Sequence, residues 1–96
     1  MQTNDIDMKM VVFTTKNVMK NGLPVVRVYH GSDGYWQFFD AVSRNAGENV
    51  MLVSMEQVLK TDSTLKELLN MDASHFASRT DKNQNWTIEE YTEEEE

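Results

Sequence analysis

Val25-Val-Arg-Val-Tyr-His-Gly-Ser-Asp-Gly-Tyr-Trp-Gln-Phe-Phe39 holds five of the nine aromatic residues in the chain, and its reading decides the fold. Dense β-branched and aromatic content on either side of Gly31-Ser32-Asp33-Gly34 describes two strands and a turn. Side-chain parity selects the turn. With Gly31 facing Gly34 across an even loop, Tyr29 would oppose Trp36 and Val28 would oppose Gln37, mixing polar and apolar groups on a face that has to be buried. A type I turn over Ser32 and Asp33, with Gly34 left-handed as a bulge residue, instead pairs Val28 with Phe38 and His30 with Trp36. Glycine suits that position because it has no Cβ to clash at positive φ. Val26, Val28, Trp36 and Phe38 then form the core face, and Arg27, Tyr29, Tyr35, Gln37 and Phe39 the opposite one.

Ninety-six residues make one domain with a modest core. The expected limits are a frayed stretch at 1–7, a single domain over 8–90 and an acidic tail at 91–96. No apolar run approaches the length of a membrane span and no secretory leader is visible, so a cytoplasmic protein without membrane contact is expected. The absence of cysteine removes disulfide scaffolds and thiolate metal sites. The seven methionines read as core filler. The net charge of −7 is concentrated at one end, since six of the 16 acids are glutamates in the last eight positions. The other ten acids face nine Lys and Arg, leaving residues 1–88 at about −1. A near-neutral body with scattered basic residues argues against nucleic acid as a partner, because phosphate contacts need clustered cations.

Upstream of the hairpin, Met8 to Thr14 is apolar on both alternate faces, Met10 and Val12 on one and Val11 and Phe13 on the other. That pattern predicts a strand covered on each side. Thr15 can cap a helical turn carrying Val18 and Met19, which Asn21-Gly22 ends and Pro24 separates from the hairpin. Downstream, Asp40 to Asn49 reads as a loop and Val50 to Val53 as a short strand. Ser54-Met55-Glu56-Gln57 is a capping box, followed by Val58 and Leu59 at helical spacing. Asp62 is the next cap, opening a helix with Leu65, Leu68 and Leu69 along one stripe. His75 to Arg79 and Trp86 to Ile88 are further strand candidates. The sum is an α+β domain, a mainly antiparallel sheet of four to five strands with one or two short helices packed on it.

Chemistry-bearing residues are few. His30, Asp33 and His75 could assemble a metal site or an acid/base pair, against the plainer reading of a hairpin histidine stacked on Trp36 and an aspartate bonding its own turn. No metal-ligand spacing pattern is present. Asp40 and Arg44 read as an ordinary surface pair worth under about 1 kcal/mol. Ser54 lacks a nucleophile elbow and is needed as a cap. Arg27, Tyr29, Tyr35 and Phe39 share the sheet face opposite the core, and Tyr and Arg are favoured anchors of interfaces. A helix or the 40–49 loop lying over that face would give the same pattern.

The hairpin Asp33-Gly34-Tyr35-Trp36-Gln37-Phe38, the helical stretch Leu65 to Leu69 and the aromatic-basic strand His75-Phe-Ala-Ser-Arg79, within a run from Thr15 to Arg79, resemble a family of small bacterial domains of unknown function. That family is regarded as immunity-protein-like because some members sit among polymorphic-toxin genes. Asp72-Ala73-Ser74 departs from its pattern, which has Pro and Gly between helix and strand. The resemblance implies no catalytic residue. The leading expectation is therefore a non-enzymatic protein-binding module, an immunity-like inhibitor of a toxin that uses Arg27, Tyr29, Tyr35 and Phe39, with no cofactor and no metal. The alternatives are a small metal-dependent or acid/base enzyme using His30, Asp33 and His75, and an accessory domain that forms a homodimer rather than remaining a monomer.

Overall fold

The computed structural model describes residues 7–42 and 50–90. The hairpin forms as its parity requires. Strand β2 (Arg27–His30) pairs antiparallel with β3 (Trp36–Phe39), setting Val28 against Phe38 and His30 against Trp36. The Gly34 amide donates to the Gly31 carbonyl at 2.9 Å, and Gly34 takes φ 92°. This is the type I turn with a left-handed bulge residue that the odd register demands. The Asp33 side chain accepts from the Tyr35 amide, so the aspartate bonds its own turn.

The hairpin occupies the centre of a six-stranded sheet, one strand more than the largest number expected. Besides β2 and β3 the strands are β1 (Val11–Thr15), β4 (Val50–Ser54), β5 (His75–Ser78) and β6 (Thr87–Glu90), in the order β4-β1-β3-β2-β5-β6. Four of the five pairings are antiparallel; β1 and β3 are parallel, so the sheet is mixed. The chain leaves β1 through helix α1 (Lys16–Asn21) and the hairpin, and β3 then returns beside β1 in the same direction. The last strand begins at Thr87, after Trp86, and Ile88 opposes Ala77 on β5.

The caps form where the residue types place them. Thr15 Oγ1 accepts from the Val18 amide at the start of α1, and Gly22 closes that helix at φ 73°. Ser54 and Gln57 make the reciprocal capping box of α2 (Met55–Leu59). Asp62 caps the third helical segment, Ser63–Asn70, through the Thr64 amide. That segment is a 3-10 helix, and Leu65, Leu68 and Met71 recur every third residue in step with its three-residue turn. Its exit needs a residue at positive φ. With neither Pro nor Gly in Asp72-Ala73-Ser74, Ser74 takes φ 64° and its amide donates to the His30 carbonyl at 2.7 Å.

One core results, on one face of the sheet. Val12, Val28, Trp36, Phe38, Val53 and Ala77 from the strands meet Val18, Met55, Val58, Leu59, Leu65, Leu68 and Met71 from the helical segments. Methionines 10, 19 and 51 pack round its margin, so the core-filler reading holds for five of them. The expectation that β1 is covered on both faces is not met: Val11 is 53% exposed and Phe13 37%. Three helical segments on a single side leave its other face without a described cover. The surface reading of Asp40 is also corrected. Its carboxylate is fully buried, accepts from Thr15 Oγ1 at 2.5 Å and from the Val42 amide at 2.7 Å, and ties the end of β3 to the start of α1. Arg44, most of the 40–49 loop and the tail 91–96 lie outside the described residues.

Trp36 is 1% exposed, and its indole stacks with the imidazole of His30 at 3.9 Å and with the ring of Phe38 at 6.2 Å between centroids. Trp36→Ala should lower the unfolding free energy in urea by about 3–5 kcal/mol, a large part of the roughly 5–15 kcal/mol typical of a domain. Gly34→Ala separates turn strain from packing. Beyond the adjoining residues nothing lies within 4 Å of the added Cβ, so the expected loss of about 1–2 kcal/mol comes from backbone conformation.

Candidate functional site

The face of the sheet away from the helices carries a row of side chains that the strand registers set side by side. Leu52 on β4 opposes Phe13 on β1, Phe13 lies beside Gln37 on β3, and Gln37 opposes Tyr29 on β2. Tyr29 in turn opposes Phe76 on β5, and Phe76 opposes Glu89 on β6. Tyr29 stacks on Phe76 with centroids 5.5 Å apart and meets Phe39 edge-on at 6.0 Å. Arg27 opposes Phe39 in the neighbouring row. A hollow of about 320 Å³ opens among Phe13, Gln37, Phe39 and Val50.

Three of the residues expected at a docking surface, Arg27, Tyr29 and Phe39, thus lie together, half-buried. Tyr35 follows the same parity at the end of the face and is 55% exposed. The sequence reading missed Val11, Phe13, Leu52 and Phe76. For Val11 and Phe13 the signal was present in the alternation of β1 but was read as a strand covered on both sides. Phe76 joins Tyr29 only through the β2/β5 register, which the weak alternation of His75 to Ser78 does not announce. Exposed at 62%, Leu52 belongs to a run too short for its faces to be told apart.

The other chemistry-bearing residues lie elsewhere. His30 and His75 are cross-strand neighbours on β2 and β5. His30 Nδ1 lies 2.9 Å from the Met71 carbonyl while its ring stacks on Trp36, and His75 Nδ1 lies 2.9 Å from the Ala73 carbonyl. Asp33 is held in the turn. Among the described residues no three His, Cys, Asp or Glu side chains are placed to hold a metal ion.

A buried ion pair forms a third cluster. Arg79 Nη2 donates to Asp62 Oδ2 at 2.7 Å, with both side chains almost wholly buried. The same guanidinium donates to the Val25 carbonyl, the Thr64 hydroxyl and the Lys82 carbonyl, and it lies 4.0 Å over the Trp86 ring. Every part of the fork is engaged, which is the condition under which a buried cation is tolerated. Burial pushes the Asp62 carboxyl up, but bonds from the Thr64 hydroxyl and amide, together with the bond and charge of Arg79, outweigh it and hold the group below the usual carboxylate range. The cluster is spent on the fold, joining the end of β5, the entry to the hairpin and the start of the 3-10 helix.

No protein-family model matches the chain, and neither curated proteins nor solved structures show a match to it. No helix among the described residues is long and apolar enough to cross a membrane.

Because the folded-state pKa of Asp62 lies below its unfolded value of about 3.9, its contribution is complete above that value and lost as pH falls through the folded pKa. Unfolding free energy measured in urea should therefore decline below about pH 4, and Asp62→Asn should flatten part of that decline. At neutral pH Asp62→Ala should cost roughly 3–5 kcal/mol, because it leaves the Arg79 charge buried without its partner.

Proposed function

We propose that the protein is a non-enzymatic module that binds another protein through the open face of its sheet. An immunity-type inhibitor that occludes a toxin is the form of this reading that the hairpin resemblance favours. The supporting observation is the run of Leu52, Phe13, Tyr29, Phe39 and Phe76 on a face that no described helix covers. Aromatic rings clustered on a rigid strand scaffold supply contact area at low entropic cost, and Arg27 at their margin supplies a fixed charge. The hollow between Phe13 and Phe39 suits one apolar anchor from the partner. The partner is protein rather than nucleic acid, since Arg27 is the one cation that the described registers set among these rings.

The geometry of the histidines gives an enzymatic reading less support. Each imidazole has one nitrogen committed to a backbone carbonyl, and Asp33 is committed to its turn.

Affinity capture from the native host, or co-expression with a toxin encoded next to this chain, tests the proposal. The expected outcome is a defined protein partner whose binding weakens by about 2 kcal/mol or more, roughly thirtyfold, in the double variant Tyr29→Ala, Phe39→Ala, with circular dichroism confirming that the variant folds. Capture of no protein, or full binding by the folded variant, would reject it.

A further inference from the structure

The two edges of the sheet differ in kind. β6 carries Glu89 and Glu90 and is followed in sequence by four more glutamates, 93–96. Charge of one sign along an edge strand discourages another chain from pairing there. β4, at the other edge, reads Val-Met-Leu-Val-Ser and has neither charge nor proline.

The direction of its backbone groups follows from the register. The Met55 amide donates to the Met10 carbonyl at 2.9 Å, so this opposed pair is a hydrogen-bonded one, and the β1/β4 alignment continues without a break from Val11–Ser54 to Thr15–Val50. Bonded and non-bonded pairs alternate along an antiparallel ladder. Val53 and Met51 therefore turn their N–H and C=O groups toward β1, while Val50, Leu52 and Ser54 turn theirs outward. The Ser54 amide is already occupied by the Gln57 side chain. Two residues, Val50 and Leu52, remain with outward N–H and C=O groups on an uncharged edge.

We propose that β4 pairs antiparallel with β4 of a second copy of this chain, about a two-fold axis through Leu52. The edge is self-complementary in this arrangement. The two Leu52 residues exchange N–H···O=C bonds across the axis. Within β4 itself no charge is placed opposite a like charge. The acidic β6 edges lie five strand spacings away on each side, about 24 Å, well beyond the roughly 8 Å screening length at physiological salt. Opposed residues of an antiparallel pair project to the same side, so the two open faces join and Leu52, 62% exposed in one copy, meets its equivalent. Pairing through β6 would instead set glutamates against glutamates. This inference rests on the edge and does not require that a partner docks on the open face.

Sedimentation and light scattering of the full chain over roughly 1 µM to 1 mM should show a monomer–dimer equilibrium. Leu52→Lys, which sets two ammonium groups opposite each other at the axis, should raise the dimer dissociation constant by about tenfold or more. Hydrogen exchange on the unaltered protein decides the matter even if the variant fails to fold: the Leu52 amide should slow markedly at dimeric concentrations. A monomer throughout the range would overturn the proposal. So would a dimer in which that amide exchanges as fast as in dilute protein, or an edge that takes up only an added extended peptide.

Discussion

A single backbone conformation sets the arrangement of the rest: the positive φ of Gly34. The bulge it makes shifts the pairing of β2 and β3 by one residue relative to an even turn, and a one-residue shift sends every following side chain to the other face. With the bulge, Trp36 and Phe38 fall on the side of Val28, and an apolar layer exists for the helices to cover. Because the hairpin sits at the centre of the sheet, the neighbours on both flanks inherit its parity: β1 through Phe13 beside Gln37, β5 through Phe76 opposite Tyr29. The inner and outer faces of the strands that line the core follow from that one turn.

The parts of the fold that were legible in the sequence are those whose physics is local. The Thr15 and Asp62 caps, the Ser54–Gln57 box, the Gly22 stop and the hairpin register each depend on residues within a few positions of one another, and each forms. What escaped were associations between distant segments. The parallel contact of β1 with β3 leaves no mark in either strand, since both show the same alternation they would have in an antiparallel sheet. The apolar outer side of β1 was read as evidence of a second covering layer, because burial is the usual reason for Val and Phe at alternate positions. Asp40 resembled a surface residue because its partner, the Thr15 hydroxyl, is 25 positions away. Arg79 gave no hint that its guanidinium gathers Asp62, Thr64, Val25 and Lys82 about itself. The candidate face was legible in its central members, Arg27, Tyr29 and Phe39, because hairpin parity places them. Its extension to Leu52 and Phe76 depended on strand order, which alternation does not encode.

The molecule is consequently two-sided. One side holds three helical segments and the whole apolar cluster, with the buried Asp40 bonded to Thr15 and the buried Arg79 to Asp62, while among the described residues Thr14 Oγ1 and Trp86 Nε1 are buried without a hydrogen-bond partner. The other presents aromatic rings in contact with each other, Tyr29 with Phe39 and Phe76. The division separates the apolar cluster from the open face of the sheet.

Strand order also governs how the chain finds this structure. Two pairings join consecutive strands, β2 with β3 across residues 31–35 and β5 with β6 across residues 79–86. β1 waits for β4 some forty residues on, and β2 for β5 nearly fifty residues on. Entropy must be given up to close such loops before their contacts form, and small domains dominated by pairings of this range fold in milliseconds to seconds rather than microseconds. The β2–β3 ribbon and the β5–β6 pair are the pieces that can assemble early, and the strands joined by distant pairings are expected to condense on the central ribbon late in the reaction, so slippage of its register would stall the whole chain.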